Sequence, residues 1–171
     1  MNDIIKNLTE RKSVRSYKSE IPPKELIYEI ANAGLYAPSG MNRQETIIVA
    51  ITDKKIRDEL AKDNASFMGW DKDPFYGAPV ILVVLTKKDC STGIYDGSLV
   101  MANLMNAAYS LGLSSCWIHR AKETFEMPKW KEYLKSIGVK GEYEGIGNCI
   151  IGYGNEEKER SPRKEGRIFG I

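Results

Sequence analysis

The chain has 171 residues, 42% apolar and 28% charged, with a net charge of +2. This length suits one domain with a true core, and the composition excludes disordered, collagen-like and low-complexity classes. The small net charge leaves no footprint for nucleic acid, and the strongest apolar run, Val80 to Leu85, is far too short to cross a bilayer.

Met1-Asn2-Asp3 lacks the basic-then-apolar layout of a leader, so a cytoplasmic protein is expected, with no membrane partner. Cys90, Cys116 and Cys149 are widely spaced, there is no CxxC, and histidine occurs once. This pattern points away from a disulfide framework and from a His/Cys metal site.

In chain order, Ile4, Ile5 and Leu8 predict a helix over Asp3 to Thr9. Arg11 to Tyr17 reads as extended. Pro22-Pro23 opens a second helix, with Leu26, Ile27, Ile30 and Ala33 as its apolar stripe, ending before Pro38. Thr46 to Thr52 is a strand. Asp53 then caps a short helix carrying Ile56 and Leu60. Val80 to Thr86 is apolar throughout, so both faces of that strand should be covered. Tyr95 to Leu111 is a long helix, apolar over most of its circumference, and part of its burial is expected to come from a second copy of the chain. Gly112 ends it. Leu113 to Ile118 and Gly147 to Tyr153 are strands, and Pro128 to Ser136 is a helix with Trp130 and Leu134 inward. The expected fold is a single α+β domain over 1–171, with helices around a central, mainly antiparallel sheet.

Five segments carry residues suited to chemistry. In Arg11-Lys12-Ser13-Val14-Arg15, extended geometry puts Arg11, Ser13 and Arg15 on one face, and guanidinium forks beside a hydroxyl suit a phosphate or another delocalised anion. The plain alternative is a solvated basic edge. In Ala37-Pro38-Ser39-Gly40-Met41-Asn42-Arg43-Gln44, a turn is followed by two amides that both donate and accept hydrogen bonds. Such a pair suits a ring edge that alternates acceptors with an N–H; otherwise this is an ordinary helix-to-strand loop. The strand ending Trp117-Ile118-His119-Arg120 leaves backbone N–H groups free at its end, although a lone histidine more often has a packing or surface role. In the tail, Pro162-Arg163-Lys164 precedes an apolar end, Ile168-Phe169-Gly170-Ile171, which would fix the basic pair if it docked. Phe67, Met68, Trp70, Phe75 and Tyr76 form either a lid over a flat ligand or a satellite of the core.

In this order the segments resemble the flavin-dependent nitroreductase family across nearly the whole chain. The resemblance rests on Arg11 to Arg15, Ala37 to Gln44, Gly112-Leu113-Ser114-Ser115-Cys116-Trp117-Ile118, and Gly147 to Tyr153 followed by Pro162-Arg163-Lys164. It implies a nitroreductase-like fold and a homodimer with a long helix in its interface. One non-covalently held FMN per subunit would lie in that interface. The phosphate and the N1/O2 region of the ring would meet Arg11, Ser13 and Arg15, with Lys12 nearby. Pro38, Ser39, Gly40, Asn42 and Gln44 would reach the flavin of the other subunit. Ile118, His119 and Arg120 would lie beside the ring, one of the last two presenting a backbone N–H to N5. Arg163 and Lys164 would close over the phosphate, with the tail over 155–171 docked. Phe67, Met68 and Trp70, together with His119 and Arg120, would line the substrate pocket.

The implied reaction passes a hydride from NAD(P)H to flavin N5, then two electrons to a nitroaromatic, quinone or similar acceptor. Arg15 would stabilise the charge of the reduced ring, and no side chain would act as acid or base. Competing readings are another acceptor on the same scaffold (an enone, a flavin, a dehalogenation), a non-catalytic FMN-storage protein, or a small basic interaction domain. The chain departs from the family where Glu45-Thr46 replaces Pro and an aromatic, and where His119-Arg120 replaces an acidic residue and glycine. It is also shorter than many members.

Overall fold

A computed structural model of the chain describes residues 1–156 and 159–170. Four strands, β1 (Thr46–Ile51), β2 (Val80–Lys87), β3 (Ser114–Ile118) and β4 (Tyr143–Gly152), form an antiparallel sheet in the order β1-β2-β4-β3. Among the described residues six α-helices flank it: α1 (Asp3–Glu10), α2 (Lys24–Leu35), α3 (Lys54–Ser66), α4 (Gly93–Ser110), α5 (Ala121–Glu126) and α6 (Pro128–Ser136). The α+β expectation therefore holds.

β2 shows why the sheet is central. Its side chains alternate between two cores. Ile81, Val83 and Leu85 join Leu60, Phe75, Phe125 and Trp130 on the α3/α5/α6 side. Val80, Leu82 and Val84 join Ile27, Ile30, Met101 and Leu104 on the α2/α4 side. All six β2 residues are fully buried, each contributing roughly 1.5–3 kcal/mol of transfer free energy.

The helix ends follow local chemistry. The Asn2 and Asp53 side chains accept hydrogen bonds from the Ile4 and Ile56 N–H groups. Pro128 opens α6, and Gly112, at φ 77°, turns the chain from α4 into β3. A bulge at Val84/Leu85 aims Ile146 toward α4, where only a glycine at 97 leaves room for it.

Several expectations need correction. α3 runs through Ser66, right up to Phe67 at the start of the aromatic segment. α5 was not foreseen, and β4 begins at Tyr143, well before Gly147. On a single chain α4 buries one face, through Asp96, Gly97, Val100, Met101, Leu104 and Ala108, while Ile94, Tyr95 and Leu99 remain exposed. α1 buries none of its residues, leaving Ile4, Ile5 and Leu8 in solvent, although Asn7 Nδ2 bonds the Asn106 carbonyl on α4. No helix among the described residues is long and apolar enough to cross a membrane.

Candidate functional site

The segment after α1 runs beside β3, with Ser13 in a parallel bridge to Ser115 and the Val14 N–H bonded to the Ser115 carbonyl. Val14 turns into the core and anchors the segment. Arg11, Lys12, Ser13 and Arg15 then line one cleft of about 360 Å³ together with Glu159, Arg160, Ser161 and Arg163. Strict alternation would have sent Lys12 to the opposite side. The segment makes a single bridge rather than a regular ladder, and Lys12 faces the cleft as well.

Arg11 Nη1 is shielded from water and meets no acceptor among the described residues. A buried donor left in this state costs about 1–3 kcal/mol. Among those residues no carboxylate forms an ion pair with Arg11, Arg15, Arg160 or Arg163. The cleft is therefore a cationic cradle with hydrogen-bonding capacity to spare, which matches a phosphate.

The tail enters this cradle through Glu159, Arg160, Ser161 and Arg163. Lys164 is not part of the cleft lining; its carbonyl accepts from Arg167 Nε. Ile168 and Phe169 are 78% and 85% exposed, so the apolar end does not dock on its own protomer as expected. Ile171 and residues 157 and 158 of that expected docked tail lie outside the described residues.

The turn after α2 is tighter than its spacing suggested. Gly40–Asn42 forms a 3-10 turn, and Met41, Asn42 and Gln44 all take positive φ, 54°, 52° and 54°. Non-glycine residues enter that region at a cost, and such strain persists only where the surroundings hold it. Here Asp96 on α4 accepts from the Gly40 N–H at 3.0 Å and from Thr92 Oγ1 at 2.8 Å, while Ser39 Oγ accepts from the Gln44 N–H at 3.1 Å. Asn42 and Gln44 meet through this left-handed turn, Nε2 to Oδ1 at 3.0 Å, rather than along an extended strand. Met41, Asn42 and Gln44 are exposed, and among the described residues no hydrogen bond or ion pair joins the turn to the cationic cleft of the same chain.

β3 ends at Ile118, and the next two residues form a rigid corner. The His119 carbonyl points inward and accepts from Asn64 Nδ2 of α3 at 2.8 Å and from Asn148 Nδ2 of β4 at 3.4 Å. Arg120 adopts φ 75°, and its carbonyl accepts from the Thr124 N–H at 3.0 Å and Thr124 Oγ1 at 2.6 Å, starting α5. The Arg120 guanidinium bonds Glu123 at 2.7 Å, and the His119 ring lies 6.2 Å from that of Trp117. With its own backbone N–H and then Arg120 bonded to it, the Glu123 carboxyl is held below the usual carboxylate range.

The aromatic segment divides. Phe75 is core, stacked beneath the Arg57 guanidinium at 5.5 Å. Asp73 holds that stretch by accepting from the Phe75 and Gly77 N–H groups and pairing with Arg57. Phe67 and Trp70 are exposed and Met68 is half-buried, just beyond the turn of α3 that carries Asn64.

Sequence reasoning missed Arg160 and Ser161 in the cleft, Asp96 and Thr92 behind the turn, and the Asn64/Asn148 pair. Asn148 carried a signal: it is an amide on an otherwise apolar strand, directly before Cys149-Ile150-Ile151. Among the described residues no cluster suits a metal ion. Cys149 is wholly buried, and burial pushes its thiol far up, away from reactivity.

The model of the nitroreductase family matches residues 8–153. A nitroreductase with bound FMN from Bacteroides fragilis superposes with a TM-score of 0.90 at 26% identity, over the full length of both chains. One from Desulfitobacterium hafniense, also with bound FMN, gives 0.89 at 26%, covering 100% of this chain and 99% of that one. Among curated proteins, an FMN reductase [NAD(P)H] from Bacillus subtilis is 26% identical, over 95% of this chain and 70% of its own length. With a match that spans the basic segment, the turn, α4 and all four strands, the chain belongs to the nitroreductase family.

Proposed function

We propose that the chain is an NAD(P)H-dependent FMN oxidoreductase that works as a homodimer with a flavin site at each end of the interface. The observation that carries this reading is the cationic cleft beside β3, where the buried Arg11 Nη1 meets no acceptor among the described residues. FMN held there would supply the chemistry, two-electron transfer between a nicotinamide and an electron-poor acceptor.

Arg11, Lys12, Ser13, Arg15 and Arg163 hold the phosphate. Arg15 favours negative charge on the pyrimidine side of the ring in a site with little water. Pro38, Ser39, Gly40, Asn42 and Gln44 complete the site of the neighbouring subunit, and Asp96 stiffens their turn for that task. Exposed Ile4, Ile5, Leu8, Tyr95 and Leu99 give two copies an apolar surface to share. Ile118, His119 and Arg120 border the ring. Phe67, Met68 and Trp70 wall the acceptor cleft, and His119 and Arg120 tune which acceptor it takes.

The deciding experiment is a visible spectrum of the purified protein, before and after anaerobic NAD(P)H. A flavin spectrum that bleaches with NAD(P)H supports the proposal. A flavin spectrum that does not bleach marks a storage protein, and a colourless preparation that takes up no FMN overturns the reading. A similar protein, the iodotyrosine deiodinase of Thermotoga neapolitana, is 26% identical over 91% of both chains. The acceptor panel should therefore hold haloarenes beside nitroarenes and quinones.

A further inference from the structure

We propose that Asn64 and Asn148 are positioning residues that aim the backbone N–H of Arg120, rather than that of His119, at the redox nitrogen N5 of the bound flavin. This rests on the FMN reading above.

A trans peptide is planar, so its C=O and N–H point to opposite sides. The His119 carbonyl is pulled into the protein by Asn64 Nδ2 at 2.8 Å and Asn148 Nδ2 at 3.4 Å, from two elements far apart in sequence. The N–H of the same peptide, that of Arg120, must then point outward. It donates to no acceptor among the described residues. On the far side the Arg120 carbonyl is held twice by Thr124. Both peptides flanking the Arg120 Cα are thus fixed, which holds a non-glycine residue at φ 75°.

The arrangement exceeds what packing needs. Both asparagines are fully buried, and each leaves its Oδ1 without a partner among the described residues. Flipping either amide would set its oxygen against the carbonyl, so the orientation is determined. Two buried amides spent on one carbonyl, at the expense of their own oxygens, fit a demand for an accurately placed donor. That donor lies at the end of the strand whose start is bridged to the phosphate cleft.

The test uses full-length protein loaded with 15N-labelled FMN, and the variants Asn64→Leu and Asn148→Leu. A pyridine-type nitrogen resonates upfield when it accepts a hydrogen bond. In the wild type N5 should lie upfield of its position in a non-hydrogen-bonding solvent. It should move downfield in both variants, further in Asn64→Leu because that contact is shorter, while N1 and N3 stay in place. The FMN dissociation constant should rise about three- to tenfold, as for the loss of one neutral hydrogen bond. An unmoved N5 in FMN-loaded variants overturns the proposal. So does a common drift of N1, N3 and N5, which marks general loosening. Should Asn64→Leu fail to fold, Asn148→Leu carries the same test. A wild-type chain that takes up no FMN overturns the parent reading instead, and is distinguished at the first step.

Discussion

Replacing Arg11 by Met keeps the aliphatic stem and removes the guanidinium, with opposite consequences for the free and loaded protein. In the free chain Arg11 Nη1 is a buried donor without an acceptor among the described residues, a burden of about 1–3 kcal/mol. Its removal relieves that burden, and at roughly 2–4 °C per kcal/mol for a chain of this size the apoprotein should melt higher. In the proposed complex the same nitrogen would make a charge-assisted bond worth about 1.5–3 kcal/mol, so the FMN dissociation constant should rise about 10- to 150-fold. Quenching of flavin fluorescence measures the affinity, and thermal unfolding without FMN measures the relief. Riboflavin, which lacks the phosphate, is the internal control and should bind both proteins within about threefold. Equal losses for FMN and riboflavin, or a lower melting temperature of the free variant, would refute the assignment of Arg11 to the phosphate.

Two further outcomes are expected. Leu99→Glu, on the exposed face of α4, should give a monomer by light scattering and lose FMN in the same preparation if, as proposed, each site takes in the neighbour's Pro38–Gln44 turn. A monomer that keeps full FMN affinity would detach the turn from the cofactor. Stability should be flat near neutrality and fall in acid. Lys131 and Lys88 hold the Glu126 carboxyl below its usual range, Lys54 does so for Asp58, and the backbone N–H with Arg120 for Glu123. Lowered native values mean the contribution is present above the unfolded range near pH 4 and is lost as pH falls through the native values. Urea midpoints should therefore drop below about pH 4, and Lys88→Met with Lys131→Met should weaken that dependence; an unchanged pH profile in that variant would rule out these pairs as its source.

The two cores and the cofactor cradle stand on opposite relations to water. β2 separates the cores with uninterrupted aliphatic side chains, whereas the cradle gathers Arg11, Arg15, Arg160 and Arg163 beside a single carboxylate, Glu159, and no ion pair among the described residues joins any of these four arginines. Like charges held this close disfavour the free state and favour whatever anion resolves the repulsion. The same logic applies at the Pro38–Gln44 turn, where three left-handed residues are braced by Asp96 from behind and left exposed in front.

What could be read from the chain alone follows from local rules. The apolar run of Val80 to Leu85 required cover on both faces, Asp53 and Pro128 marked helix starts, and the types and spacing of Arg11, Ser13 and Arg15 put them on one face. These depend on neighbours in sequence, as does the order of motifs that identified the family. What folding alone decided lies in contacts between distant segments. Arg160 and Ser161 join Arg11 across nearly the whole chain, and Asp96 reaches the turn at Gly40. Asn64 and Asn148 meet over one carbonyl because α3 and β4 pack around the end of β3. No periodicity encodes such meetings. They arise when sheet order and helix placement bring polar groups together out of water, where each must find a partner or bear the cost.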